Sequence, residues 1–357
     1  MAFCSVKIRN FIGEADCPPE VFRNFVPKLN RTMATLSLIK RPIEGELNDY
    51  RNAFHATLEH PDGLLGSALA HIRNRQGKLM RPMLVLLCAK AAGGVNDGVT
   101  RAAVTLELLH TASLVHDDIV DESDERRGQP SVNATYDNKV AVLVGDYLLS
   151  TALEQAAATG STRVVASIAR LGKSLSEGEV FQLSNIHNET ATEEAYFRII
   201  HQKTAALFAT CAELGALMAG ADDATVARHR ELGEIIGICF QIRDDIFDYY
   251  DEGNIGKPTG NDLREGKLTL PLIHALHTQA SNNMEALSQR VKSGQATDED
   301  IARLVDFAKT AGGIDYAEQV MADYARQGYA LAHELAGNTP VGEALAEYIS
   351  YVVERDK

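Results

Sequence analysis

At 357 residues, 45% of them apolar, the chain is long enough to bury one large core or two smaller ones, although it contains no tryptophan. A formal charge of −14 weighs against nucleic acid as a partner. No run approaches the roughly 18 consecutive apolar residues of a membrane span, and the start lacks an apolar signal core, so a soluble protein with no stable membrane insertion is expected.

Residues 1–43 carry seven basic and three acidic side chains, a balance of +4, which leaves −18 for the rest of a chain whose net charge is −14. Pro18, Pro19 and scattered aromatics interrupt any period there. The segment 1–43 therefore reads as an N-terminal extension of uncertain order ahead of an all-helical domain over 44–357. Met33 is a second candidate for the start of translation. A loosely docked arm and a targeting peptide are the other readings, the last opposed by Glu14, Asp16 and Glu20.

From Glu44 onward the apolar spacing is helical nearly throughout, with no convincing alternation of the strand type. Predicted helices cover 44–59, stopped by Pro61, then 64–73, then a helix entered after Gly77 and Lys78 that runs through 84–92 to Gly93 and Gly94. The next spans 100 to about 121 and is broken by 126–130. Helices at 140–158, 164–184, 193–220 and 224–250 come after it. The stretch 253–266 is rich in turn formers and reads as a flexible lid or a plain connector, with Lys267 just ahead of the next helix. Helices at 268–276, 298–310, 317–336 and 342–353 complete the chain, and Pro271 suits a first helical turn. No linker rich in Pro, Gly or Ser divides the chain, so one large all-α domain is expected. Cys4, Cys17, Cys88, Cys211 and Cys239 show neither CxxC nor zinc spacing. Three of them lie in apolar helical runs, where a free thiol acts as a small hydrophobe, and a reducing cytoplasmic location is expected.

Two stretches carry the chemistry. The run from His110 ends in Asp117-Asp118-x-x-Asp121, and the run from Gln241 ends in Asp244-Asp245-x-x-Asp248. Residues four apart share a helix face about 5.4 Å apart, so Asp117 pairs with Asp121 and Asp244 with Asp248. Two carboxylates about 4 Å apart repel by about 4 kcal/mol at an effective dielectric of 20, which a divalent cation relieves. Each motif adjoins an apolar segment, and hard carboxylate oxygens beside a core suit Mg²⁺, whose shell substrate phosphates complete. The inferred substrate is a diphosphate bridged by metal to two facing helices. A single acidic helix end would read as a solvated surface; the second copy weighs against that.

Cations accompany the acids. Lys78 and Arg81 stand at the mouth of an apolar helix whose N-terminus favours anions. Arg126 and Arg127 come after the first motif on a turn, and arginine suits bidentate phosphate contacts. Lys203 heads another apolar run beside Thr204, Gln241 lies three residues before Asp244, and Lys257 and Lys267 occupy or flank the lid. His110, Leu114, Asp117 and Asp121 form one stripe. Counting back by fours from Asp117 gives Ser113 and Leu109, and the small Ala112 and Ser113 leave a path for an apolar tail.

In order and spacing these elements resemble the trans-isoprenyl diphosphate synthases, the polyprenyl synthases, over roughly residues 44–350. The match rests on Gly77-Lys78-x-x-Arg81-Pro82, Leu109-His110-x-x-Ser113-Leu114-x-His116-Asp117-Asp118-x-x-Asp121, Arg126-Arg127-Gly128, Gln202-Lys203-Thr204 and Phe240-Gln241-x-x-Asp244-Asp245-x-x-Asp248. The resemblance implies a helical bundle around a deep central cavity, usually as a homodimer, and a Mg²⁺-dependent transferase for which Mn²⁺ is a substitute. It makes Asp117, Asp121 and Asp244 the metal ligands, with Asp118, Asp245 and Asp248 close by or acting through water. Arg126, Lys203 and Lys267 would hold the allylic diphosphate, with help from Lys257. Lys78, Arg81, His110 and Arg127 would hold isopentenyl diphosphate, and Thr204 and Gln241 would steady the allylic cation.

The chemistry fits these residue types. Metal and lysine neutralise the charge of the departing diphosphate, and the cation meets the double bond of isopentenyl diphosphate held beside it. A proton then passes to the departed diphosphate, so no protein nucleophile is needed. Family enzymes that stop early carry aromatic residues four or five positions before the first motif. Ala112 and Ser113 stand there, so a product longer than four isoprene units is expected, with a geranylgeranyl or farnesyl product as the alternative. A class I terpene cyclase is opposed by the second intact aspartate motif and by Lys78 and Arg81. A helical metal phosphohydrolase lacks its histidines here, and a silent regulatory subunit would have lost part of a motif. A long product also allows transient membrane contact during release.

Overall fold

The computed structural model describes residues 32–61, 63–74, 77–126, 128–186, 191–250, 259–279 and 281–355. Helix α1 (Thr32–Lys40) leads through a 3₁₀ turn (Arg41–Ile43) into α2 (Glu44–Thr57), α3 (Leu64–Arg73) and α4 (Met80–Ala92). The long α5 (Asp97–Val120) is followed by a two-strand ladder, β1 (Glu125–Arg126) on β2 (Gln129–Pro130), and by α6 (Val132–Tyr136), α7 (Asn138–Ala158) and α8 (Thr162–Ile186). Next come α9 (Glu193–Ile200), a π-helical turn (His201–Ala205), α10 (Ala206–Met218) and α11 (Asp223–Phe247). The chain closes with α12 (Asn261–Arg264), α13 (Leu270–Gln279), α14 (Asn282–Lys292), α15 (Asp298–Thr310), α16 (Gly313–Ala336) and α17 (Pro340–Glu354).

Local chemistry sets the helix ends. Asn96 caps α5 by accepting from the Val99 amide at 3.0 Å, and Asp222 caps α11 by accepting from the Thr225 amide at 2.7 Å. Thr297 and Asp300 form a reciprocal capping box on α15. Thr339 caps α17, with Pro340 in its first turn.

The core is built around α10, whose residues from Ala206 to Ala216 are all buried. A helix apolar on every side belongs in the interior. It packs against α4, α5 and α11. At Gly233 of α11 an added Cβ would lie 2.3 Å from the Phe208 carbonyl oxygen, and at Gly237 it would lie 2.5 Å from Ala205 Cα. Those two glycines let α11 and α10 touch backbone to backbone. The contact brings the acidic end of α11 beside the turn that carries Lys203 and Thr204.

The all-α expectation holds, with the two-residue strands as a small addition. Several features depart from the sequence reading. The boundary at residue 43 does not coincide with a break in packing, because Ile39 and Ile43 are fully buried and α1 packs against α17. Half of the +4 behind that boundary comes from Lys40 and Arg41, in α1 and the 3₁₀ turn, and the other half from residues 1–31, which lie outside the described residues. The single helix expected over 193–220 is interrupted by the π-helical turn, which spacing alone does not reveal. Helix α14 is an addition, although Met284, Leu287 and Val291 have helical spacing and the last two are buried. Within 253–266, residues 261–264 form α12, whereas 251–258, including Lys257, lie outside the described residues. Among the described residues no helix is long and apolar enough to cross a membrane.

Candidate active site

The first acidic motif sits where α5 stops. Asp117 and Asp118 are in its last turn, and Asp121 is the residue that ends it, with its amide still bonded to the Asp117 carbonyl at 2.8 Å. Asp118 points inward and is 2% exposed, and Arg126 Nε donates to its Oδ1 at 2.5 Å. That bond ties the β1–β2 turn, which Gly128 closes at φ +75°, to the end of α5. Asp118 is therefore committed to Arg126 and sets the height of a cation above the motif. Arg127 lies outside the described residues.

Asp117 is half-buried, and its carboxyl is pushed up to about 6, first by burial and then by Glu179, with Lys203 opposing. Asp121 also pushes it up and Arg126 opposes. A carboxylate crowded in this way has room for more positive charge than the protein supplies. Asp121 is exposed.

The second motif ends α11 and is more heavily engaged. Asp244 Oδ1 accepts from Arg355 Nη2 at 2.5 Å; burial raises its carboxyl pKa, and Arg355 and Lys78 oppose the rise. Asp245 is 4% exposed and accepts from the Tyr196 hydroxyl at 2.6 Å and from Gln241 Nε2 at 2.8 Å. An acceptor-only carboxylate fixes the Gln241 amide with its oxygen turned away, where Thr204 Oγ1 donates to it at 2.7 Å. Asp248 caps α12, accepting from the amides of Asn261 at 2.9 Å and Asp262 at 3.0 Å. Both Asp245 and Asp248 thus have protein partners on both oxygens, which fix where the two carboxylates sit.

The expected cations fall into two groups. Lys203 forms an ion pair with Glu179 and donates to Gln182 Oε1 at 3.1 Å. It projects from the π-helical turn, a feature frequent at functional sites. Gly178 of α8 permits that approach, since a Cβ there would lie 2.8 Å from Gln202 Cβ. Lys267 pairs with Glu265 at 2.5 Å; burial lowers its pKa, but Glu265, Asp121 and Asp262 raise it further. Lys203 thus answers to Asp117 and Lys267 to Asp121 of the first motif. In the other group, Lys78 is exposed with its ammonium 5.5 Å from the Tyr351 ring centroid, and Arg81 faces Phe208 at 5.9 Å. His110 and Arg126 share a cavity of about 80 Å³ with Gly77.

A larger cavity of about 190 Å³ is walled by Gln182, Lys203, Thr204, Gln241, Asp245, Asp262 and Lys267. Asp117, Asp121 and Asp244 lie outside its wall, but Lys203 and Lys267 link it electrostatically to Asp117 and Asp121. Among the described residues no three His, Cys, Asp or Glu side chains converge as a ready-made metal cage. The donors that are present are hard oxygens on two facing helix ends, which suits an ion sharing its shell with phosphate.

Sequence reasoning misses several participants. Glu179 and Gln182, three apart on α8, face Lys203, and that spacing is a readable signal. On the short helix α12, Asp262, whose carboxyl is pushed up to about 7 first by burial and then by Asp248, stands beside Lys267. Tyr196 and Arg355 reach the second motif from distant parts of the chain, and no local pattern marks them.

Residues 62–308 match the family model described as Polyprenyl synthetase. The chain is 34% identical over 282 residues to octaprenyl diphosphate synthase of Escherichia coli, which covers 79% of this chain and 87% of that protein. The crystal structure of geranylgeranyl pyrophosphate synthase from Bacteroides thetaiotaomicron is 46% identical with a TM-score of 0.80, over 90% of this chain and 100% of that one. A decaprenyl diphosphate synthase from Rhodobacter capsulatus is 33% identical with a TM-score of 0.84, over 90% of this chain and 99% of that one.

Proposed function

The chain belongs to the polyprenyl synthetase family, and from that premise we propose how its own residues perform the transfer and how long a product they make. It is a prenyltransferase that joins isopentenyl diphosphate head to tail to an allylic diphosphate, making a trans-polyprenyl diphosphate. Asp117, Asp121 and Asp244 would hold Mg²⁺, which when bound neutralises the charge of the departing diphosphate. Support for this reading comes from the raised carboxyl of Asp117, a group short of positive charge.

Lys203, Lys267 and Arg126 bind the allylic diphosphate, and each is held in place by a carboxylate, Glu179, Glu265 and Asp118 respectively. Lys78, Arg81 and His110 bind isopentenyl diphosphate on the α4 side. Gln241 turns its oxygen to Thr204, and both side chains line the cavity, where they would steady the allylic cation. The departed diphosphate, retained by the lysines, takes the proton.

The product is longer than four isoprene units. The observation that carries this is Ala112 and Ser113 on the inner side of α5, Ala112 2% exposed and the Ser113 hydroxyl turned back to the His110 carbonyl at 2.9 Å. Neither projects bulk into the path below Asp117. Incubation with Mg²⁺, labelled isopentenyl diphosphate and farnesyl diphosphate, with products sized by mass spectrometry, should give a ladder ending above four units. A stop at four or fewer overturns the length, and no elongation with any allylic primer overturns the mechanism. Ser113→Phe should shorten the product, and an unchanged ladder would remove Ser113 from the path.

The working form is a homodimer. Leu143 is 67% exposed on α7, beside Val142, Leu149 and Leu153, and Val180, 66% exposed, and Leu183 add to it from the adjoining α8. Such an apolar face suits a second copy of the chain. Sedimentation equilibrium should return twice the chain mass. Mn²⁺ would serve in place of Mg²⁺, and the cytoplasm is the expected location.

A further inference from the structure

The C-terminal helix reaches both halves of the site. Tyr348 on α17 donates its hydroxyl to the Met80 carbonyl at 2.9 Å, and Tyr351 lies under the Lys78 ammonium. The same helix is followed by Arg355, whose side chain is 8% exposed. Its Nη2 bonds both Asp244 Oδ1 and, at 3.0 Å, the Phe240 carbonyl. The guanidinium carbon stacks 3.8 Å from the Phe240 ring centroid. From the other side, Arg243 Nε and Nη2 both donate to the Arg355 carbonyl at 3.1 Å.

This seat is well made but incomplete. Arg355 Nε is buried with no hydrogen-bond partner. A buried donor without a partner is a standing cost that native structures seldom keep at a purely structural pair. The pair also occupies one of the two Asp244 oxygens, Oδ1. Asp244 itself is 41% exposed at the end of α11, and the buried Arg355 supplies it with a positive charge from within the chain.

We propose that Arg355 is a placeholder cation: it holds the Asp244 carboxylate in position in the ligand-free enzyme and yields it to a divalent ion. This inference rests on the reading of Asp244 as a metal carboxylate. Arg355 is a positioning residue, acting on the reaction through Asp244. Exchange of one positive charge for two is favourable only when phosphate oxygens arrive to share the metal. The ligand-free enzyme therefore resists metal at Asp244 until diphosphate is present, and α17 carries that state to the Lys78 side.

The test is a titration of the full-length protein with Mn²⁺ alone, with no diphosphate, reading free Mn²⁺ by electron paramagnetic resonance. Arg355→Gln should bind Mn²⁺ about tenfold more tightly than wild type, because no ion pair has to open first. Arg355→Lys keeps the charge and should restore affinity toward the wild-type value. Arg243→Gln, which frees the Arg355 carbonyl and leaves its side chain intact, should tighten binding in the same direction by a smaller factor. This variant decides the matter if Arg355→Gln does not fold. Equal or weaker affinity in both glutamine variants overturns the proposal. Asp244→Asn, titrated with Mn²⁺ in the presence of a non-ionisable allylic diphosphate analogue, separates it from the reading beneath: if that change leaves Mn²⁺ binding untouched there, Asp244 is not a metal carboxylate and both fall. If it weakens binding while the glutamine variants do not tighten it, only the placeholder falls.

Discussion

The two aspartate motifs share a pattern and differ in their surroundings. On α5, Asp117 has charged neighbours but Asp121 stands exposed, and only Asp118 is tied down, by Arg126. On α11 all three carboxylates are engaged, Asp244 by Arg355, Asp245 by Tyr196 and Gln241, and Asp248 by the amides that open α12. The first motif is thus open to solvent and ligand, whereas the second is already wired into the fold. Identical spacing fixes which side chains share a face; it does not fix what answers them. The middle aspartates show this most plainly, since each is buried and each holds another functional side chain in place.

The largest effect should come from the outer positions. Asp117→Ala and Asp244→Ala should each lower kcat on the order of 10²- to 10³-fold, by analogy with the loss of one charge-stabilising group. Steady-state rates with labelled isopentenyl diphosphate at saturating Mg²⁺ measure this. If Asp245→Asn weakens Mn²⁺ binding as much as Asp244→Asn does, the division of labour between neighbours is wrong.

The middle position should show itself in folding. Asp245→Ala leaves the buried Tyr196 hydroxyl and the Gln241 amide without their acceptor and should cost about 2 kcal/mol in urea denaturation. A change below a few tenths of a kcal/mol would mean that water replaces the carboxylate.

A smaller effect separates the motifs by pH. The folded Asp117 carboxyl is raised to about 6 from 3.8. A carboxyl raised by folding contributes stability below its unfolded value and loses it as pH climbs through the folded one. In EDTA, therefore, wild type should lose stability relative to Asp117→Asn between about pH 4 and 6. After allowance for solvent screening the loss is about 1 kcal/mol. Thermal melts of both proteins across that range test it, and parallel curves would show that burial and Glu179 together do not raise the Asp117 carboxyl.

Much of the fold is legible in the sequence. Helix positions come from apolar spacing, and the helices at 64–73 and 298–310 agree to the residue because each is amphipathic and sharply bounded. Both motifs, Lys203 beside Thr204, and Lys78 with Arg81 are readable because local spacing and residue chemistry coincide. Arg355 is not, because its contact with Asp244 spans 111 residues and depends on how α17 crosses the bundle. Asp262 is hidden because a turn-rich segment gives no phase from which to infer direction. The inward turn of Asp118 and Asp245 is hidden too, since DDxxD tells nothing of which middle oxygen meets a tyrosine or an arginine.

The π-helical turn at His201–Ala205 has a consequence for variation in this chain. Each residue advances a helix by about 100°, so one extra residue there resets the angular frame between α9 and α10. Everything upstream, including Tyr196, is indexed to one frame, and everything downstream, including the buried Ala206–Ala216 face, to another. Substitutions on either side can drift independently, but a single-residue deletion at the join would re-aim Lys203, Thr204 and Tyr196 together. At the join a change of count disturbs several side chains at once, where a substitution disturbs one.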